Sequence, residues 1–464
     1  MTTLTSSALP CCELLEPRIQ MSGAADLVHT TATFADTRVG VHATSNGGKA
    51  FFAGGVYARE FDFLDADLVT VYEAATGQSS TLHLSAPRIL NFAVTVGGKS
   101  VFADGYNQLT GFSAVVDIYD GTTGAFTAST RPRLTSYAVA AVARDKVLFA
   151  GDSSASPITD VFDPITRQWS TTTLPRQVFS DAAAAVVTGN YTLIVSPGGA
   201  NLFDSVTGRW SGANVPFARS TRSLTAAVAG SKAVVVDDTG RVGIYNFVTH
   251  RWTTTHLRHP RTAIVVAAVG SKVIIAGGVP PQNANSTERP VDNVDVYDVI
   301  TGRWSATHLN GATSDLAATT VGRTAIFAFG SAFSIPSGTG PDLFTDTNPS
   351  PLYTGSLSGH ANGQANLTLF NTGDAGLTGP YTIEVYASAD RTLKGAIPLG
   401  KLHVDTPLAA GASVSLQIPT AMPRSARHGA FFLLAVVVDG TGRRTAVAAS
   451  ATAFHVKPSA AAWG

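Results

Sequence analysis

Six arginines, Arg38, Arg88, Arg133, Arg176, Arg219 and Arg261, recur at intervals of 42 to 50 residues, four of them directly after Pro87, Pro132, Pro175 and Pro260. A guanidinium offers paired N–H donors in a planar fork, so a ring of arginines at one mouth of a channel would take carboxylates or sugar acids bidentately. The competing reading is structural: a Pro-Arg turn whose long side chain covers neighbouring surface. Two segments between the arginines are rich in aromatics, VYAREFDFLDAD (56–67) with Tyr57, Phe61 and Phe63, and GYNQLTGFS (105–113) with Tyr106 and Phe112; a third, VPPQNANSTERPVDN (279–293), is long and polar. Long loops carrying aromatic and polar residues are where binding usually resides. The candidate ligand contacts are therefore Tyr57, Arg88, Tyr106, Arg133, Arg176 and Arg261. No residue is assigned a catalytic role.

The remaining chemistry-bearing residues do not converge. His83, His256 and His308 each fall eleven residues after a repeated aromatic, which places them on equivalent outer strands of different units. His250, His259, His360, His403 and His428 are scattered, with no H-x-x-x-H or C-x-x-C spacing. Asp62, Asp65 and Asp67 invite a Ca²⁺ reading, but the D-x-D-x-D-G pattern is absent and a solvated acidic loop is the simpler account. The two cysteines, Cys11 and Cys12, are adjacent and lie ahead of the repeats, so no disulfide staples the fold. The expectation is a chain without metal or cofactor.

The elements that must position these residues repeat. An aromatic, usually with an acid beside it, is followed four positions later by Thr and usually seven later by a second aromatic, starting at Tyr72, Tyr119, Phe162, Phe203, Tyr245 and Tyr297, 41 to 52 residues apart. That period belongs to blade-type repeats rather than helical solenoids. Each copy reads as a hairpin with a tight turn, and Trp169, Trp210, Trp252 and Trp304 share one offset, which makes them packing residues. Two strands precede each hairpin. One is small and apolar, as in AAAAVV (182–187). The next ends in Gly or Asp, as in KAFFAGG (49–55), KVLFAGD (146–152) and KVIIAGG (272–278).

This order resembles the kelch repeat, over about 320 residues, with departures at Asp104-Gly105, Asp237-Asp238 and Phe329-Gly330. The resemblance implies an all-β fold, a seven-bladed kelch-like β-propeller over 27–346, with six blades as the alternative. The seventh count rests on TAIFAFG (324–330) and PDLFTD (341–346), and HTTATFADTR (29–38) reads like the outer strand that the last blade lacks. The N-terminal strand then closes the ring. In propellers the long loops share a face with the arginine turns.

A linker is expected at 347–357, and 358–457 alternates strand and turn as an Ig-like β-sandwich does. Asn371 to Pro380 resembles a turn of the CARDB kind of bacterial Ig-like domain. Residues 1–26 read as a disordered or targeting segment and 458–464 as a tail. Within the former, Leu15-Glu16-Pro17-Arg18 resembles the L-E-P-R-x-L-L-S segment of surface and secreted proteins of planctomycete-type bacteria, with Gln20 and Met21 in place of the two Leu, and implies an extracellular or cell-surface location.

Net charge is zero and 14% of residues are charged, so nothing favours nucleic acid or an anionic membrane. No apolar run approaches the ~20 residues of a helical membrane span. A kelch propeller followed by an Ig-like domain is also similar to the galactose-oxidase family, whose copper chemistry needs a Tyr cross-linked to a Cys inside the propeller. No Cys lies beyond position 12. The expected function is therefore non-enzymatic: an exported binding or structural protein that presents a loop face to a protein or glycan partner. The alternative is a carbohydrate-active enzyme of the sugar-acid mutarotase or lyase type working at the channel mouth.

Overall fold

The computed structural model describes residues 20–21, 26–59, 62–132, 139–151, 158–178, 182–281, 289–332, 335–336, 340–423, 426 and 428–456. Described elements are all β. Six sheets of four antiparallel strands follow one another along the chain, beginning at His42, Phe92, Val139, Ala184, Leu224 and Val265. A seventh is built from Ala317–Val321, Thr324–Ala328, Asp342–Asp346 and, from the other end of the chain, Leu27–Thr31, on which Gln20–Met21 pairs as a fifth strand. The first strand of each sheet lies against the first strand of the next, and the seventh sheet's lies against the first sheet's. The ring is closed.

Local sequence explains each sheet. The second strand is buried on both faces, as in Lys49–Ala53, Lys99–Ala103 and Lys272–Ala276, because it packs between neighbouring sheets. The repeated aromatics meet across the third and fourth strands: Phe162 and Trp169 at 4.6 Å, Phe203 and Trp210 at 5.0 Å, Tyr245 and Trp252 at 5.1 Å, Tyr297 and Trp304 at 5.0 Å. Such pairs add about 0.5–1.5 kcal/mol beyond their burial. The tryptophans are framework.

The Gly pair that ends the second strand has a steric cause. Gly54 and Gly55 both have positive φ, and a Cβ on Gly55 would meet the Val39 carbonyl at 2.5 Å. Where the pair is broken, Asp104 and Phe329 keep the left-handed backbone, with φ of 58 and 60°. Asp237 solves the same corner differently, accepting the backbone N–H groups of Thr239 and Arg241 on Oδ1, both at 2.9 Å.

Closure rests on more than the strand ladder. Leu27, 3% exposed, enters an apolar cluster with Ala267, Ile274 and Phe344. His29 stacks on Phe344 at 4.5 Å and shares a 2.7 Å buried hydrogen bond with Asp342.

The C-terminal unit packs two sheets around a single apolar cluster. One holds Tyr353–Gly359, Gly363–Asn371 and Ser413–Thr420; the other holds Ile397–Val404, Tyr381–Ser388, Gly429–Val438 and Arg444–Ala449, with Phe454–Val456 on Gly429–Phe431. Its first strand starts at Tyr353, so the expected 347–357 linker and a boundary at 358 are corrected. The segment entering it is buried on either side of an exposed Thr347-Asn348 step, with Asp346, Thr354 and Tyr353 at 0, 0 and 5% exposure. The unit sits on the tight turns of the ring: Val248 packs with Leu434, Val436 and Ala449, and a Cβ on Gly189 would collide with Thr354. Limited proteolysis of the native chain should therefore leave 352–357 intact, since a protease needs an exposed, locally unfolded segment. Rapid scission there under native conditions would show that the two units separate.

Candidate functional site

In an antiparallel sheet the turns joining strands one to two and three to four lie at one end, and the remaining connections lie at the other. The C-terminal unit lies against the turns of the fourth, fifth and sixth sheets at the first end. The other end carries the candidate residues.

Tyr57 lies in the hairpin Val56–Arg59 with Asp62–Asp65, and Tyr106 in the hairpin Tyr106–Asn107 with Gly111–Phe112. Each hairpin is riveted to the turn that enters its sheet. Val39 and Val56 exchange both backbone hydrogen bonds, at 3.0 and 2.9 Å, and Ile89 and Tyr106 do the same at 2.9 Å each. The second hairpin is held further by Asn107: its Nδ2 donates to the Pro87 carbonyl at 2.9 Å, and its Oδ1 accepts the Leu109 and Thr110 N–H groups at 3.0 and 2.9 Å. The two hairpins are joined directly, because the Gln108 N–H donates to Asp65 Oδ2 at 2.7 Å.

On this fixed base the apolar side chains face solvent. Leu109 is 95% exposed, Phe112 71%, Leu64 46% and Tyr106 42%. The Tyr106 and Phe112 rings meet edge-on at 5.5 Å. Leu64 and Leu109 were not singled out by sequence; the signal was an NQLTG turn, whose leucine no strand could bury. Phe61 and Arg133 lie outside the described residues, and for Phe63 only the backbone is described.

The arginine expectation is corrected at Arg88 and Arg261. Arg88 is fully buried, donating Nε to the Asp104 carbonyl at 3.0 Å and Nη2 to Asp117 Oδ2 at 2.7 Å. Arg261 repeats this, with Nε on the Gly277 carbonyl at 2.6 Å and Nη1 on Asp295 Oδ2 at 2.6 Å. Arg38 does so with Asp36, Gly54 and Thr70. Each guanidinium is threaded between the second and third strands of its own sheet, where it satisfies carbonyls that the sheet leaves open. These three are framework and cannot meet a ligand. Arg176 and Arg219 are exposed, and the Arg176 stem lies over Gly199. Among the described residues, therefore, the arginines form no common cradle.

The acids near the hairpins are likewise spoken for. Asp65 anchors the neighbouring loop, and Asp67 pairs with His83 at 3.1 Å. Burial pushes the Asp104 carboxyl up to about 6 against the pull of Arg131 and Arg88, and Arg131 pairs with it at 3.0 Å.

No protein-family model and no curated protein matches the chain. Among solved structures, it is similar to a fungal alcohol oxidase of the AA5 family, solved in complex with copper. Identity is 13% and the TM-score 0.50, over 93% of this chain and 96% of that one. At that identity the likeness speaks to the fold alone, an all-β chain of propeller type. Both cysteines precede the described residues, and among the described residues no three His, Cys, Asp or Glu side chains converge as metal ligands.

Proposed function

We propose that this chain is an exported binding or structural protein, a seven-bladed kelch-like β-propeller followed by an Ig-like β-sandwich, which presents the loop face of its first two blades to a protein or glycan partner. The observation that carries this reading is the apolar group Leu64, Tyr106, Leu109 and Phe112, exposed on hairpins that backbone and Asn107 hydrogen bonds hold rigid. Large apolar side chains exposed together on two joined hairpins mark interaction surfaces, and preorganised aromatic anchors are what interface hot spots share. Ring closure and the regular Arg–Asp pairs support the kelch-like assignment. Asn371, buried and donating to the Ala375 carbonyl at 2.8 Å, supports the CARDB-like turn. Export rests on the N-terminal resemblance alone. The enzyme reading places an acid, a base and a free arginine at the channel mouth on the loop face, where the described Arg38, Arg88 and Arg261 are buried in ion pairs or carbonyl contacts.

Glycan-array and pull-down screens with the intact chain test the proposal. Against any partner so found, Tyr106→Ala or Phe112→Ala should each cost about 1–3 kcal/mol of binding with the melting temperature unchanged. A partner whose affinity ignores both substitutions places the interface elsewhere.

A further inference from the structure

The first residue of the second strand is lysine in five of the sheets: Lys49, Lys99, Lys146, Lys232 and Lys272. Its ordinary partner is the acid beside the repeated aromatic. Lys49 lies 3.9 Å from Glu73, Lys99 2.8 Å from Asp120 and Lys146 2.9 Å from Asp163. Lys272, whose cross-strand neighbour is Asp298, reaches Asp346 at 3.1 Å. In the fifth sheet the acid is replaced. Lys232 stands opposite Asn246 and, with no carboxylate in ion-pair range among the described residues, donates to the Val299 carbonyl at 2.5 Å.

This one exception lines a cavity of about 410 Å³ between the ring and the C-terminal unit. The volume falls within the roughly 300–1,000 Å³ of small-molecule pockets. The groups around it are mostly donors. Asn246, which lines the cavity with Lys232, is oriented by its own turn, since Oδ1 accepts the Val248 and Thr249 N–H groups at 2.8 and 3.0 Å. Tyr353, 5% exposed, has a buried hydroxyl with no hydrogen-bond partner. Arg443 adds a second cation. Asp439, the acid on this wall, accepts the N–H groups of Thr441 and Arg443 on Oδ1 at 2.9 and 3.0 Å, which leaves Oδ2 as an acceptor for a hydroxyl. A buried tyrosine hydroxyl without a partner is costly, and Lys232, held by a carbonyl, lacks the carboxylate within ion-pair range that the other four lysines have.

We infer that the cavity binds a small hydroxylated carboxylate, of the size and kind of a sugar acid, whose carboxylate takes the place of the acid missing at Asn246 and whose hydroxyls meet Tyr353 and Asp439. The site lies on the face opposite the exposed hairpins and stands independently of them.

Sodium D-glucuronate and sodium D-gluconate, titrated calorimetrically into the full chain, test this. At least one should bind saturably, and D-glucose, which lacks the carboxylate, should not. Asn246→Asp restores the in-register acid and keeps the Oδ1 acceptor; it should weaken binding at least tenfold. Tyr353→Phe should weaken it several-fold. Should Asn246→Asp not fold, Lys232→Met serves with the same expected loss. The inference is overturned if neither sugar acid binds, if D-glucose binds as well as they do, or if the folded Asn246→Asp or Lys232→Met chain binds like the parent.

Discussion

Removing residues 1–31 should lower the melting temperature of the entire ring by about 10 °C, although the deletion touches one sheet of seven. Leu27 buries its side chain in the contact between the sixth and seventh sheets, and His29 satisfies the buried Asp342. Losing an apolar core residue and stranding a buried carboxylate together cost on the order of 5 kcal/mol. For a domain of this size that free energy corresponds to a fall of about 10 °C. The seventh sheet would also keep Asp342–Asp346 as a bare edge, open to pairing with another copy. A calorimetric scan of the truncated chain that superimposes on the parent would show that the ring does not depend on its N-terminal strand.

Arg88→Ala should be as damaging, and for a reason that separates framework from site. With Arg88 and Asp117 at 0 and 1% side-chain exposure, removing the cation leaves a buried anion unpaired, a loss of about 3–5 kcal/mol. Urea denaturation should show a lower midpoint with an unchanged slope. Arg176→Ala, at a residue whose side chain is solvent-exposed, should leave the midpoint nearly where it was. Equal, small effects at both positions would contradict the assignment of Arg88 to the framework.

The contrast between these two arginines marks what the sequence could disclose. Spacing placed both at equivalent turns, but spacing says nothing about which way a long side chain turns. A signal did exist: Asp117 and Asp295 stand two residues before Tyr119 and Tyr297, in the third strand, where a carboxylate facing inward requires a cation. The terminal strand was legible in part: HTTATFADTR (29–38) carries the Thr-rich, Arg-ended pattern of an outer strand, but the strand that pairs with Asp342–Asp346 is Leu27–Thr31, which overlaps that segment only at 29–31. The start of the C-terminal unit was not, because YTGSLSG has the glycine and serine content of a linker, and its strand is fixed by pairing with Gly363–Asn371. Nor was the seam between the two units. Its contacts come from Gly189, Gly230 and Val248 in turns, and their partners lie far along the chain.

The loop face is the centre of this account, and site-specific photo-crosslinking examines it most directly. A benzophenone side chain placed at Phe112 samples the exposed hairpin tip; one placed at Ile165, 64% exposed, samples a tight turn at the opposite end of the ring. Illumination of the full chain in the culture medium and cell-surface fraction of its own source should give discrete adducts from position 112 that Tyr106→Ala suppresses, with none from position 165. Matching adduct patterns from the two positions, or adducts from 165 alone, would contradict the claim that the hairpins of the first two sheets are the binding surface.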